Sequence, residues 1–322
     1  MEDLDDLAHF ALVAEHGGFA AAERATGIPK SRLSRRLATL ESRLGTRLIQ
    51  RSTRRFAVTP MGEQVLQHAR AMLAEAEAAR SLVDEQTGGP RGTVRLACPP
   101  ALLQTAVGPL LARFLNAWPQ VQLQIQASNR NVDVWQDGVE LALRVRAPDA
   151  ALPQDEVVRP LALSPHLLVA APRLLVNAPP AMTPADLARL PTLGLGNSPE
   201  QRLWRLRGPG GERAEHAHQP RLVVDDAATL RDAAVMGVGC AVLPRILVHD
   251  ALQAGLLQEI LPGWAPPPGL IQAACASRQG LRPVVRRLLE GLAEGFAELI
   301  RDGRCLEPHG PLVPPVQAMS PA

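Results

Sequence analysis

The sequence predicts a small, mainly α-helical unit at the N-terminus, then one long helix, then a larger α/β unit. Two observations predict this order. Apolar residues keep the helical period through most of the first 86 positions. After residue 92, short strand-like runs alternate with helical segments, as in α/β proteins. A chain of 322 residues with 46% hydrophobic and 20% charged residues suits two or three such units.

The first three helices are predicted from apolar spacing and from glycine and proline. Residues 3–16 have helical spacing and end at the glycines of "HGG", with Leu4, Leu7, Phe10, Ala11 and Ala14 on the apolar face. A short second helix in "FAAAERAT" stops at Gly27. Pro29 suits a first helical turn and opens a third helix that ends near Gly45. Two short helices joined by a glycine turn form a helix-turn-helix pattern.

The third helix combines an apolar seam with a cationic surface. We expect the seam to be buried, and its members are Leu33, Leu37, Leu40 and Leu44. On a helical wheel Ser31 and Arg35 point directly away from it, and Arg32 and Arg36 flank one side. Residues 30–55 carry nine basic residues against one acid, although the net charge of the chain is only +2.

A basic hairpin follows in "RLIQRSTRRFAVTP", whose alternation predicts a wing with its tip at residues 52–55. A helix fixed by its seam can lay its opposite face in a DNA major groove, where arginine reads guanine, while wing arginines meet phosphates. The alternative is a solvated charged face, but helix spacing, charge and wing coincide in one segment. We therefore predict DNA contacts by Lys30, Ser31, Arg32, Ser34, Arg35, Arg36, Arg51, Thr53, Arg54 and Arg55.

Single-stranded nucleic acid is a weaker alternative, because stacking platforms need aromatic residues. The segment offers only Phe10, Phe19 and Phe56, and the hydrophobic pattern already uses at least two of them.

A long helix begins at Thr59 and Pro60 and continues to about Gln86. We predict a DNA-binding domain over residues 1–60 and a linker helix over 61–88. A seam with spacings of four and three suits a partner helix in a dimer, and its members are Val65, Ala69, Met72, Ala76, Ala79 and Val83. The α/β unit is predicted over 92–302, and the proline-rich tail 303–322 is predicted to be disordered.

The segment "FAAAERATGIPKSRLSRRLATLESRLGTRLIQRSTRRFAVTPMGEQVL" closely resembles the winged helix-turn-helix of the LysR-type transcriptional regulators. The family usually has serine at Pro29 and glutamine at Lys30, so the start of the third helix is expected to be capped differently and to read a different base. It usually has phenylalanine at Ile49, a change expected to affect packing only. The matching residues are Phe19, Ala21, Ala22, Ser34, Arg35, Leu40, Glu41, Leu44, Gly45, Leu48, Arg51, Thr59 and Gly62. The resemblance continues less tightly to about residue 300.

The resemblance implies a two-lobed effector domain similar to periplasmic binding proteins, with lobe I at 93–163 and 269–300 and lobe II at 164–268. It implies a small molecule between the lobes, a dimer that pairs into a tetramer, and contact with RNA polymerase. The family's ligand-contacting positions map here onto Pro100, Ala101, Leu102, Arg144, Arg146, Asn197, Ser198, Asp226, Ala227, Val238 and Gly239. Each follows a strand-like run, where α/β ligand sites form.

The effector is expected to be a small organic acid. Alternation places Arg144 and Arg146 on one strand face, where a guanidinium can pair with a carboxylate. An equally open alternative pairs Arg146 with Asp149. The turn from Pro99 to Leu102 lacks the hydroxyl with which many family members meet a carboxylate, so that donor must come from elsewhere.

Other chemistries have weaker support. "GLGNSP" and "GVGCAV" lack the third glycine of a dinucleotide fingerprint, and "GERAEHAHQP", with Glu215, His216 and His218, suits a solvated loop better than a metal site. Cys98 and Cys240 map to the cleft and suit oxidant sensing or, better, a buried structural role. The cysteines form no Cys-x-x-Cys pair, and no serine, histidine and acid set has nucleophile-elbow spacing. We expect no enzyme, metal or cofactor.

The sequence thus predicts a cytoplasmic DNA-binding transcriptional regulator controlled by an effector. No long apolar run suits a membrane span, and the acidic start is unlike a secretory signal. The alternative is a small-molecule binding protein whose basic N-terminal module serves another partner, and an enzyme ranks third.

Overall fold

The computed structural model describes residues 2–50, 56–85, 89–134, 137–148, 150, 156–176, 183–196, 203–275 and 281–308. The chain divides into two units, the first built on Met1–Pro90 and the second on Arg91–Ala276 with Val284–Ala322. The first unit contains helices α1 (Glu2–Glu15), α2 (Phe19–Thr26), α3 (Lys30–Leu44) and α4 (Pro60–Glu85), and strands β1 (Ile49–Gln50) and β2 (Ala57–Val58).

The core of the first unit is formed by the apolar faces of α1, α3 and the start of α4. Leu33, Leu37 and Leu40 are buried together with Phe10 of α1, as the helical spacing predicts. Leu44 is the exception to the predicted seam, since it is 47% exposed. It is the last residue of α3, and Gly45 turns the chain away in a left-handed conformation directly after it.

The seam of α4 is partly used inside its own unit, which corrects the prediction that all of it serves a partner helix. Ala69 is fully buried and Val65 is partly buried, and both pack in the same core as Leu66. Farther along, Met72 is half-buried and Ala76 is exposed. The side chains of Ala79 and Val83 lie outside the described residues. Among the described residues, the part of the predicted seam that is not packed in this core begins near Met72.

The wing strands β1 and β2 pair antiparallel, with Ile49 opposite Val58. The wing tip, residues 51–55, lies outside the described residues. Thr59 fixes the passage from the wing into α4, because its hydroxyl accepts the Gly62 N–H at 2.9 Å and donates to the Arg47 carbonyl at 2.8 Å. This turn brings α4 close to the wing.

The second unit contains two lobes, and the first is a five-stranded sheet. Its strand order is β4–β3–β5–β14–β6, with β3 parallel to β4 and β5, and β14 antiparallel to β5 and β6. The strands are β3 (Gly92–Cys98), β4 (Val121–Ala127), β5 (Leu141–Arg146), β6 (Val157–Ser164) and β14 (Gly269–Cys275). The helices are α5 (Pro100–Leu102), a π-helical turn (Leu103–Val107), α6 (Gly108–Ala117) and α9 (Pro283–Arg301).

The second lobe has smaller sheets. Strand β7 lies between β12 and β13 and is antiparallel to both, β8 pairs parallel with β11, and β9 and β10 form an antiparallel pair. The strands are β7 (His166–Ala170), β8 (Leu193–Leu195), β9 (Leu203–Arg207), β10 (Arg213–Ala217), β11 (Leu222–Val224), β12 (Ala241–Pro244) and β13 (Gln258–Glu259). The α-helices are α7 (Ala227–Val235) and α8 (Arg245–Gln253).

The chain passes between the two lobes twice. β6 ends at Ser164 and β7 begins at His166, and the return leads into β14 at Gly269. These two segments connect the lobes that border the predicted effector cleft.

The start of the C-terminal tail is ordered, which corrects the prediction that disorder begins at residue 303. Cys305 is buried, and Leu306 forms a bridge with Leu163 of β6 through two backbone hydrogen bonds of 2.9 Å. The proline-rich sequence gave no indication of this short pairing between Leu306 and Leu163. Residues 309–322 lie outside the described residues.

Candidate functional site

The exposed surface of α3 carries five of the ten predicted DNA-contacting residues. Lys30, Ser31, Arg32, Ser34 and Arg35 are all exposed. Ser31 and Arg35 lie opposite the buried leucines, and Arg32 and Ser34 lie at the sides of the helix. The face presents small hydroxyl side chains beside long cationic ones, a combination that suits base edges and phosphates.

The start of α3 is capped in an unusual way. Pro29 occupies the N-cap position and offers no side-chain acceptor. Instead, the Glu23 carboxylate of α2 accepts the Lys30 N–H at 3.0 Å. The carboxylate stabilises the positive end of the helix dipole. The two helices of the motif are thereby joined at the point where the recognition face begins.

Arg36 differs from the other predicted DNA contacts. Its guanidinium Nη1 lies 3.3 Å from Oδ1 of Asp6, a fully buried residue of α1, and its side chain is 34% exposed. Arg43 approaches Oδ2 of the same carboxylate at 3.3 Å. Arg36 therefore has an intramolecular partner that the helical wheel did not indicate.

Glu41 is a functional residue whose role the pattern did not reveal. Its Oε1 accepts the N–H groups of Leu48 at 2.8 Å and Ile49 at 3.1 Å, at the start of the wing. The available signal was its position as the single acid in a basic segment. The wing residues predicted to contact DNA lie outside the described residues, namely Arg51, Thr53, Arg54 and Arg55.

The turn after β3 lies at the interlobe cleft. Pro100 and Ala101 are partly buried and Leu102 is buried. Ala101 packs against the hydrophobic core of the second lobe. A second link joins the lobes, because the Asn129 side chain donates to the Asp225 carbonyl at 2.8 Å.

Two of the predicted ligand positions of the second lobe, Asp226 and Ala227, lie at the start of α7. Asp226 is its N-cap and accepts from the Thr229 N–H at 2.9 Å and the Thr229 hydroxyl at 2.6 Å, bonds that lower the pKa of the Asp226 carboxyl. Ala227 is buried. The Asp226 carboxylate is thus occupied by its own helix.

Two further predicted positions, Val238 and Gly239, lie in the turn that follows the C-terminal end of α7. The Val238 carbonyl accepts from Arg221 at 3.1 Å. Gly239 is buried, and a Cβ atom there would lie 2.8 Å from the Pro191 carbonyl oxygen. Close backbone approach therefore requires glycine. Asn197 and Ser198 lie outside the described residues.

Arg144 is buried in an internal ion pair, which speaks against its predicted contact with an effector. Both of its terminal nitrogens bind the Glu156 carboxylate, one of them at 2.7 Å, and Nη2 also donates to the Val132 carbonyl at 2.5 Å. The two side chains are only 6% and 5% exposed. The guanidinium is therefore committed to the fold.

Arg146 remains available at the cleft end of β5. It is partly exposed, and its guanidinium donates to the Asn131 side chain at 3.0 Å, a neutral partner. Its alternative partner, Asp149, lies outside the described residues. Arg146 can therefore meet an anion more readily than Arg144.

Gln272 was not predicted as a site residue. It lies opposite Arg144 in the strand register and is only 1% exposed. Its amide nitrogen and the Arg144 Nε both lack a hydrogen-bond partner among the described residues. Unsatisfied buried donors are rare and require an explanation such as an ordered water or a ligand oxygen. A glutamine in an alternating strand gives no such signal in the sequence.

The cysteines Cys98 and Cys240 are buried, and burial raises the pKa of each thiol to about 12. A thiol that stays protonated is a poor nucleophile, which favours the structural role.

The histidines of the possible metal loop are held by other contacts. His218 is buried, bonds to the Thr192 hydroxyl at 2.8 Å and packs against Trp204 with ring centroids 4.2 Å apart. Among the described residues no cluster of histidine, cysteine and acidic side chains has a geometry suited to a metal. Within the same residues, none of the helices combines the length and apolarity of a membrane span.

Comparison with known proteins gives the same two-part division. Residues 4–63 match the bacterial regulatory helix-turn-helix protein, lysR family, and residues 87–297 match the LysR substrate binding domain. This chain belongs to the LysR family of transcriptional regulators. It is therefore a DNA-binding regulator with an effector-binding domain, and LysR regulators act as oligomers.

Relatives of similar length support this membership. The chain is 33% identical over 293 residues to the HTH-type transcriptional regulator PtxR of Pseudomonas aeruginosa, covering 91% of this chain and 92% of PtxR. It is 32% identical over 294 residues to an HTH-type transcriptional regulator of Xanthomonas campestris, covering 90% and 84%. The fold resembles the full-length LysR-type regulator LysG of Corynebacterium glutamicum with bound effector Arg, at 21% identity and a TM-score of 0.61, covering 95% and 98%.

Proposed function

We propose that this LysR-family regulator is a cytoplasmic protein without enzymatic activity. Its effector is a small organic acid. It assembles as a dimer or tetramer and acts on RNA polymerase. The observation that carries the DNA-binding part is the exposed face of α3, opposite the buried Leu33, Leu37 and Leu40. Retardation of the DNA that flanks its own coding region tests this part, because a small-molecule binding protein would retard no duplex at moderate salt.

We expect Arg35 to contact a base edge and Arg54 to contact the phosphate backbone of the DNA. Arg35 is exposed on α3 and points away from the seam, so Arg35→Ala should cost about 1–3 kcal/mol on the specific site and relax one base position. Arg54→Ala should weaken all sequences equally. Titrations of specific and random duplexes measure both effects. Equal losses of Arg35→Ala on the two duplexes would show that Arg35 reads no base.

The proposed effector is an organic acid whose carboxylate meets Arg146 at the cleft. Among the described residues, the side-chain partner of Arg146 is the neutral Asn131. Loss of a hydrogen bond to a charged group costs about 1.5–3 kcal/mol, so Arg146→Ala should weaken acid binding about tenfold or more. Thermal shifts with benzoate, other aromatic and aliphatic acids, and their neutral amides measure this effect. LysG, solved with an amino acid effector, gives a precedent for a carboxylate ligand.

Arg159→Ala is the matched control for that experiment, because Arg159 is exposed on β6 of the same sheet. It should leave the thermal shifts unchanged. If only the neutral amides stabilise the protein, or if Arg146→Ala responds to the acids as the parent does, the effector is not an acid held by Arg146.

Assembly is proposed to use the outer half of α4. Ala76 is exposed there and follows the half-buried Met72 on the same seam. Ala76→Glu places a charge in a close helix contact and should convert the dimer to a monomer at micromolar concentration, as measured by sedimentation. Gln67→Glu, exposed on α4 away from the seam, should not. Intact assembly in Ala76→Glu would place the dimer contact elsewhere.

A further inference from the structure

Two arginines of the recognition helix converge on one buried carboxylate. Asp6 of α1 is fully buried, and its two oxygens lie 3.3 Å from the guanidinium nitrogens of Arg36 and Arg43. Arg36 and Arg43 are seven residues apart, so they lie two turns, or about 10 Å, apart on the same side of the helix. Asp6 therefore contacts α3 at a point between Arg36 and Arg43.

The position of this contact limits how α3 can rotate. The leucine seam is apolar, and apolar packing has little directionality. Ion pairs with hydrogen-bond geometry are directional and strong where a partner is buried. Because Arg36 borders the seam beside Leu37, its bond to Asp6 fixes the helix with Ser31 and Arg35 pointing outward.

Because of the same contact, the Arg36 guanidinium does not add to the positive charge that can contact DNA. The α3 sequence carries five basic residues, Lys30, Arg32, Arg35, Arg36 and Arg43. The side chains of Lys30, Arg32 and Arg35 are exposed, whereas the Arg36 guanidinium is occupied by Asp6. We infer that Asp6 is a positioning residue that withholds Arg36 from the DNA backbone and sets the orientation of the recognition face.

Salt dependence of binding to random duplex DNA tests this inference, because it counts phosphate contacts and requires no known operator. Asp6→Asn keeps the shape and removes the charge, so Arg36 is released. The slope of log K against log salt should then steepen by about 1. The double variant Asp6→Asn with Arg36→Ala should return to the parental slope. A purely structural Asp6 would lower the melting temperature and leave the slope unchanged, and that result would overturn the inference.

Single substitutions decide the question if Asp6→Asn does not fold. Arg36→Ala in the parent removes a half-exposed side chain that Asp6 already occupies, so the slope should stay the same. Arg32→Ala removes an exposed arginine of the same helix and should reduce the slope by about 1. If Arg36→Ala reduces the slope as well, Arg36 contacts phosphate and the inference is wrong. Absence of any DNA binding by the parent would instead contradict the regulator function.

Discussion

Gly62→Ala is expected to abolish DNA binding by unfolding the first unit. A Cβ atom on Gly62 would lie 2.1 Å from the Leu48 carbonyl oxygen and 2.6 Å from a methyl group of Val58. The first neighbour is backbone and is already bonded to the Thr59 N–H at 2.9 Å, so it cannot move without breaking the wing. Overpacking typically costs about 1–3 kcal/mol and occasionally more, and this clash with backbone is expected at the upper end of that range.

The two units can be followed separately in that variant. All four tryptophans lie beyond residue 90, so tryptophan fluorescence reports the second unit. Gly62→Ala should lose helical circular dichroism and duplex retardation, while the fluorescence melting transition stays in place.

Gly291→Ala is the matched control, because its nearest neighbour is Phe114 at an ordinary 3.6 Å. It should retain DNA binding and gain about 0.5–1 kcal/mol from helix propensity. Parental DNA binding by Gly62→Ala would contradict the predicted clash.

Glu156→Gln is expected to destabilise the second unit strongly. It removes the charge that neutralises Arg144, whose side chain is only 6% exposed. Breaking a buried ion pair by removing one partner costs about 3–5 kcal/mol, because the other charge stays buried. The fall in the fluorescence melting temperature measures this effect. The exposed pair of Arg113 and Glu298 lies in the same unit, and Glu298→Gln should leave the transition almost unchanged.

Replacing both partners separates a structural pair from a ligand site. Arg144→Met combined with Glu156→Leu removes both charges at similar volume, so most of the lost stability should return. If Arg144 serves only the fold, this double variant should also keep the parental response to acids. If the double variant is stable but its melting temperature no longer responds to acids, Arg144 contacts the effector.

The helices and the recognition face could be predicted because both depend on spacing within one segment. Leu33 and Arg35 lie on opposite sides of α3 for reasons of helical geometry alone. The partners of Arg36 and Arg144 could not be predicted in this way. Asp6 is 30 positions from Arg36 in another helix, and Glu156 is 12 positions from Arg144, beyond the end of β5. Periodicity indicates that an arginine lies near the surface, but it does not indicate which acidic residue forms an ion pair with it.

The pairing of the tail escaped prediction for the same reason. Leu306 bonds to a strand that lies far from it along the chain, and its proline-rich surroundings indicated disorder. Gln272 shows a different limit. Its burial follows from its place in the middle of the lobe I sheet, whereas a glutamine is usually exposed.

The contact of Glu41 with the wing bears on how binding specificity can diverge in this family. Glu41 binds backbone N–H groups, which every residue except proline possesses, so this contact with the wing does not depend on the side chains at positions 48 and 49. The recognition helix and the first strand of the wing are therefore joined through the backbone. Transplanting only the exposed residues of α3 from a relative should transfer its choice of operator, with no compensating change in the wing.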